Sequence, residues 1–137
     1  MATILPMGPV KSKTYIASGD LSAAQNHIVL LSAASTVAIG TANCVPAGVL
    51  KNKPAAAGGG QASVVTEGET EVFVDAGTAI LIDDMIVADS SGHGVKIGST
   101  AETKYHVLGR AKEAKASGTG TIIVDVHFFD STNPGTT

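Results

Sequence analysis

The apolar residues of this chain come in strand-sized bursts of β-branched side chains, and each burst is cut short by glycine, proline, Asp or Asn. Fourteen Val and ten Ile dominate the bulky inventory, there is no Trp, and twenty Ala and sixteen Gly fill the spaces between. β-Branched side chains lose rotamer freedom in a helix and suit a pleated, half-buried surface. Short runs of them at regular turn-marked intervals predict an all-β domain, a compact β-barrel or β-sandwich of short antiparallel strands. At 137 residues one such domain is expected.

The pass along the chain divides it into an extended N-terminal arm (1–14), a single β domain (15–129) and a flexible tail (130–137). Pro6, Gly8 and Pro9 keep the arm extended. Strands are expected at 13–17, 26–31, 36–40, 44–50, 62–66, 71–74, 79–82, 85–88 and 95–98. Pro46 belongs at the start or edge of its strand. Glu67, Glu69 and Glu71 share parity with Val65, whereas Val72 and Val74 take the other. That switch predicts a turn or bulge at Glu67-Gly68-Glu69 and a separate strand on each side. Met85–Ala88 and Val95–Gly98, joined by Asp89-Ser-Ser-Gly-His-Gly94, form a hairpin candidate.

The stretch His106–Phe129 is ambiguous, because Arg110–Lys115 is rich in helix formers. A helix there would be short and would bury only Ala111, Ala114 and Ala116. Read as strands, Tyr105, Val107, Gly109 and Ala111 face one side. After the loop Ser117-Gly-Thr-Gly120, Ile122, Val124, Val126 and Phe128 share a face on the return. The hairpin is the stronger reading, with one helical turn near 112–116 held in reserve.

Composition excludes several function classes. A net charge of −3, one Arg and eight scattered Lys do not make a nucleic-acid surface. The lone Cys44 forms no intrachain disulfide or multi-Cys zinc site, and reads as a small buried residue rather than a nucleophile. No apolar run approaches the ~18 residues of a membrane span, and the N-terminus lacks a signal layout, so a soluble protein is expected. Gly58-Gly-Gly60 lacks the GK[ST] of a phosphate loop, and Asp83, Asp84 and Asp89 lack EF-hand spacing. His27, His93, His106 and His127 show no ligand spacing, and His93, between Gly92 and Gly94, reads as a solvated loop-tip residue. His106, His127 and Asp125 are the one zinc sketch, with outer-face polar residues as the simpler reading. The sequence calls for no catalytic residue, no cofactor and no metal.

The segments Gly48-Val-Leu-Lys-Asn-Lys-Pro-Ala-Ala56, Ala62-Ser-Val-Val-Thr-Glu-Gly68, Gly77-Thr-Ala-Ile80 and Val107-Leu-Gly-Arg-Ala-Lys-Glu-Ala114, in that order, resemble a family of small β-rich phage proteins. These are the capsid cement or decoration proteins, encoded beside major capsid genes. The resemblance spans about residues 40–129; the family usually has Gly-Asp where this chain has Asp83-Asp84. It implies a virion structural protein, not an enzyme, on the outer surface of the assembled phage head. It implies the major capsid protein as partner and self-association as a trimer, with a dimer second, and no nucleic-acid or membrane partner. Contact residues expected on this reading are Ile4, Leu5, Pro6, Met7 and Pro9 of the arm, with Glu67, Glu69 and Arg110 at the rim. The rival readings are a head-fibre or tail-appendage or carbohydrate-binding β module and, further off, a small metal-dependent hydrolase.

Overall fold

The computed structural model describes residues 10–54, 60–98 and 103–132. Among them are nine strands and no helix: β1 (Lys11–Ala17), β2 (Ile28–Ala33), β3 (Thr36–Ile39), β4 (Gly48–Leu50), β5 (Gln61–Ala76), β6 (Met85–Ala88), β7 (Gly94–Lys96), β8 (Lys104–Ala111) and β9 (Gly118–Thr132). The all-β barrel expected from the sequence is what forms. Two features differ from the expectation. β5 and β9 are long rather than short, and the β1–β3 and β5–β7 pairings are parallel, so the sheet is mixed.

β5 organises the molecule. Ala62, Val64, Thr70, Val72, Val74 and Ala76 on its even side are buried, while Glu67 and Glu71 on the odd side are exposed. The sequence reading split this segment in two; the structure keeps it as one strand. The irregularity is nonetheless where the parity switch placed it. Gly68 has φ 108°, a conformation that costs a side-chain-bearing residue strain, and the register with β1 slips there: Lys11 faces Glu67 but Ser12 faces Val65. Instead of turning, the strand changes partner. Residues 61–67 pair with β1, and from Gly68 onward the partner is β9.

The pairings consequently close on themselves twice, with β5 common to both circuits. One runs β1-β3-β2-β4-β5, the other β5-β7-β6-β8-β9. The first contributes a cluster of Ala17, Leu21, Val29, Val37, Leu50, Ala62 and Val64; the second is filled by the central cluster of Val72, Val74, Ile80, Ile86, Leu108, Ile122, Val124 and Val126. β2 and β4 serve both. Val29 and Leu50 pack in the first cluster, and their neighbours Ile28 and Val49 in the second. A strand buried on both faces reads as a continuous apolar run, which is how Ile28-Val29 and Gly48-Val49-Leu50 are written. Backbone hydrogen bonds from Ile28 N to Gly92 O (2.8 Å) and Asn43 N to Ala88 O (2.9 Å) add to the junction.

The ambiguous stretch is a hairpin, β8 paired antiparallel with β9. The reserved helical turn at 112–116 is absent; Glu113 Oε1 instead accepts the Ile123 N–H at 2.7 Å. A register slip between Val107 and Gly109 leaves Leu108 unmatched and turns it into the central cluster, while Tyr105 and Val107 pack with Val87 and Ile97 in a third. The strand expected at 79–82 is a correction: only Ile80 pairs, in a bridge to Lys115, and Leu81 and Ile82 are exposed. The β6–β7 hairpin forms as read.

Candidate functional site

Three strands set the charged row on the outside of the second circuit. Glu69 on β5 lies opposite Asp125 on β9, and Asp125 lies opposite Arg110 on β8. Arg110 is exposed, with its guanidinium over the Phe129 ring at 5.4 Å and Nη1 donating to Asp83 O at 3.2 Å. Glu67 pairs with Lys11 across 3.7 Å, both side chains solvated. Beside them a shallow groove of about 360 Å³ opens where β5 exchanges β1 for β9, lined by Lys11, Glu67, Gly68, Asp125, Val126 and His127. Thus Glu69 and Arg110, chosen separately from the sequence, share one lateral row, and Glu67 lies at its edge. Ile4, Leu5, Pro6, Met7 and Pro9 lie outside the described residues. An exposed ion pair contributes little to stability. Such a row is suited to recognition by complementary charge.

The zinc sketch does not assemble. His106 lies opposite Asp130 in the β8–β9 register and its Nδ1 is 2.8 Å from Asp130 Oδ1, whereas Asp125 lies opposite Arg110. His127 is exposed, its ring 6.4 Å from that of Phe129. The hydrogen bond from His106 holds the Asp130 carboxyl below its usual range, with the charge of Lys104 adding to the effect. A second groove, about 310 Å³, lies between Val45, Pro46, His106, Phe128 and Phe129. Cys44 is half-buried against the central cluster, and burial pushes its thiol up, away from the reactive thiolate.

Sequence reasoning missed a second constellation. His93, read as a solvated loop-tip residue, is partly buried and meets the Phe73 ring edge-on at 4.9 Å and His27 at 5.0 Å; His27 and Phe73 stack at 5.1 Å. Asp89 and Asp75 lie beside it. These residues come from positions 27, 73, 75, 89 and 93, and only the strand pairing unites them. The one signal in the sequence was that Phe73 sits on the same parity as the exposed glutamates of β5, where an aromatic needs a partner.

No protein-family model matches the chain, and no curated protein matches its sequence. Its fold is similar to a solved structure, the N base of the head fibre protein gp8.5 of bacteriophage phi29. The TM-score is 0.56 at 18% identity, and the match covers 87% of this chain and 95% of that one. At that identity the likeness is one of fold.

Proposed function

We propose that this protein is a structural component of a phage head, placed on the outer surface of the shell, and that it performs no catalysis. The observation that carries the reading is the fold: nearly the whole of a head-fibre base superimposes on it. The segments of residues 40–129 that resemble capsid decoration proteins point independently to the same surface. In the first form of this reading the protein is a cement, binding the major capsid protein and stabilising joints between its subunits, with self-association as a trimer. A ligand that binds only the assembled lattice stabilises it by mass action, and repetition over a symmetric shell makes modest single contacts collectively strong. The row Glu69–Asp125–Arg110 with Glu67 is the described part of its contact surface, and Ile4, Leu5, Pro6, Met7 and Pro9, outside the described residues, are the further contacts proposed.

A second form, in which the chain is the base of a head fibre, is supported about equally by the fold neighbour. Both forms place it on the head. Immunogold labelling of intact virions with an antibody against the chain is expected to mark the outer surface of heads; label confined to tails would overturn the proposal. Heating heads stripped of the protein separates the two forms. A lower temperature of DNA release marks a cement, and an unchanged one marks a fibre base.

A further inference from the structure

The second circuit closes between β5 and β7 through a single register pair, Val74 with Gly94. Two carboxylates and an imidazole gather at this seam. Asp75 follows Val74, His93 precedes Gly94, and Asp89 opens the turn between β6 and β7. One ligand atom from each of Asp75, Asp89 and His93 lies within 4.8 Å of the other two. The groups are held in place. Asp89 Oδ1 accepts the N–H of Ser91 (2.8 Å) and of His93 (2.9 Å), and Phe73 and His27 flank the His93 ring. Asp89 Oδ2 stays 3.4 Å from His93 Nδ1, longer than a good hydrogen bond, so both atoms keep coordinating capacity.

Charge is the second argument. Among the described residues, no Lys or Arg lies within ion-pair distance of Asp75 or Asp89. The lysines near this end of the sheet are directed elsewhere, Lys96 towards Asp84 and Lys51 towards Asn26 and the Glu71 carbonyl. Two carboxylates this close repel unless a proton or a cation lies between them. Two oxygens and one imidazole nitrogen form a donor set for a divalent first-row metal with water filling the remaining positions, and fall short of the six to eight oxygens that calcium takes.

We propose that Asp75, Asp89 and His93 bind one divalent metal ion of the zinc type, and that this ion pins the β6–β7 turn to the end of β5 where the backbone supplies a single pair. The role is structural, and it is independent of where on a virion the protein sits.

The test uses the full chain, stripped with EDTA and then titrated with zinc chloride. Metal content after desalting is read by mass spectrometry, and thermal unfolding by calorimetry. One zinc per chain is expected, with a Tm that climbs with the logarithm of free zinc and is up by roughly 10 °C at a hundredfold excess over Kd. Asp75→Asn is the clean variant, since no hydrogen bond from a described residue reaches that carboxylate. Stripped of metal it should melt at or above the stripped parent, because a repulsion is gone, and it should lose the zinc-dependent rise. His93→Gln should lose the rise as well. No retained zinc with no shift would overturn the proposal. So would a shift that survives Asp75→Asn, or one that calcium produces and zinc does not.

Discussion

The two sides of β5 in the second circuit are built differently. Towards β9 the ladder is antiparallel and unbroken from Gly68–Val126 to Ala76–Gly118, with Val72 and Val74 packed beside Ile122 and Val124. Towards β7 it is parallel and consists of Val74–Gly94 alone. One seam rests on backbone hydrogen bonds and apolar burial. The other rests on side chains, namely the His27–Phe73–His93 stack and the capped turn at Asp89. A barrel needs every seam closed, but the seams need not be equally strong. The weak one is where a ligand has most to add.

Substitutions can separate the two seams. Ile122→Ala removes a buried side chain from the centre of the β5–β9 ladder and is expected to cost about 3–4 kcal/mol in denaturant unfolding. A loss under 1 kcal/mol would show that this seam is not the main support. Gly109→Ala should follow at about 3 kcal/mol. A Cβ there would lie 2.0 Å from the Asp125 carbonyl oxygen, and backbone cannot yield as a side chain does. Gly94→Ala, at the weak seam, meets Cγ methyl groups of buried Ile86 and Val74 at 2.8 and 3.0 Å and should cost about 2 kcal/mol, less than Gly109→Ala because side chains rather than backbone stand in the way. Equal losses for the two glycine variants would contradict the contrast drawn between them.

The smallest effect is expected from pH. Asp130 has its folded pKa lowered by His106, so its contribution is present above the ordinary carboxylate value of about 3.9 and fades as pH falls through the lower folded value. The Asp130 side chain is 54% exposed and that of His106 28%, so Asp130→Asn should lower stability only slightly at neutral pH, and that small difference should disappear as pH falls below about 4. A large loss at pH 7 would mean that the pair supports more than the β8–β9 edge.

Much of the fold was legible because alternation is local. Tyr105, Val107 and Ala111 against Ile122, Val124 and Val126 announced the β8–β9 hairpin despite the helix formers between them. What alternation does not carry is continuity and closure. Gly68 reads as a break, and only the partner strands reveal that β5 runs through it from one circuit to the other. The run Ala79–Ile82 is apolar enough for a strand, yet tertiary pairing reaches Ile80 alone. For the candidate sites the division is similar. Glu69 and Arg110 were visible as a lone arginine and an acidic run, but their common row with Asp125 follows from register. His93 beside two glycines looked solvated because Phe73 and His27 lie far away in sequence.

The central claim, that this barrel belongs on the surface of a phage head, is tested most directly by co-sedimentation of the purified chain with heads stripped of it. Saturable binding at a fixed ratio to the major capsid protein is the predicted result, with Arg110→Ala weakening it about tenfold, the effect of ~1.4 kcal/mol, while Tm stays unchanged. An absence of binding to heads, at concentrations where the protein is folded, would contradict the account.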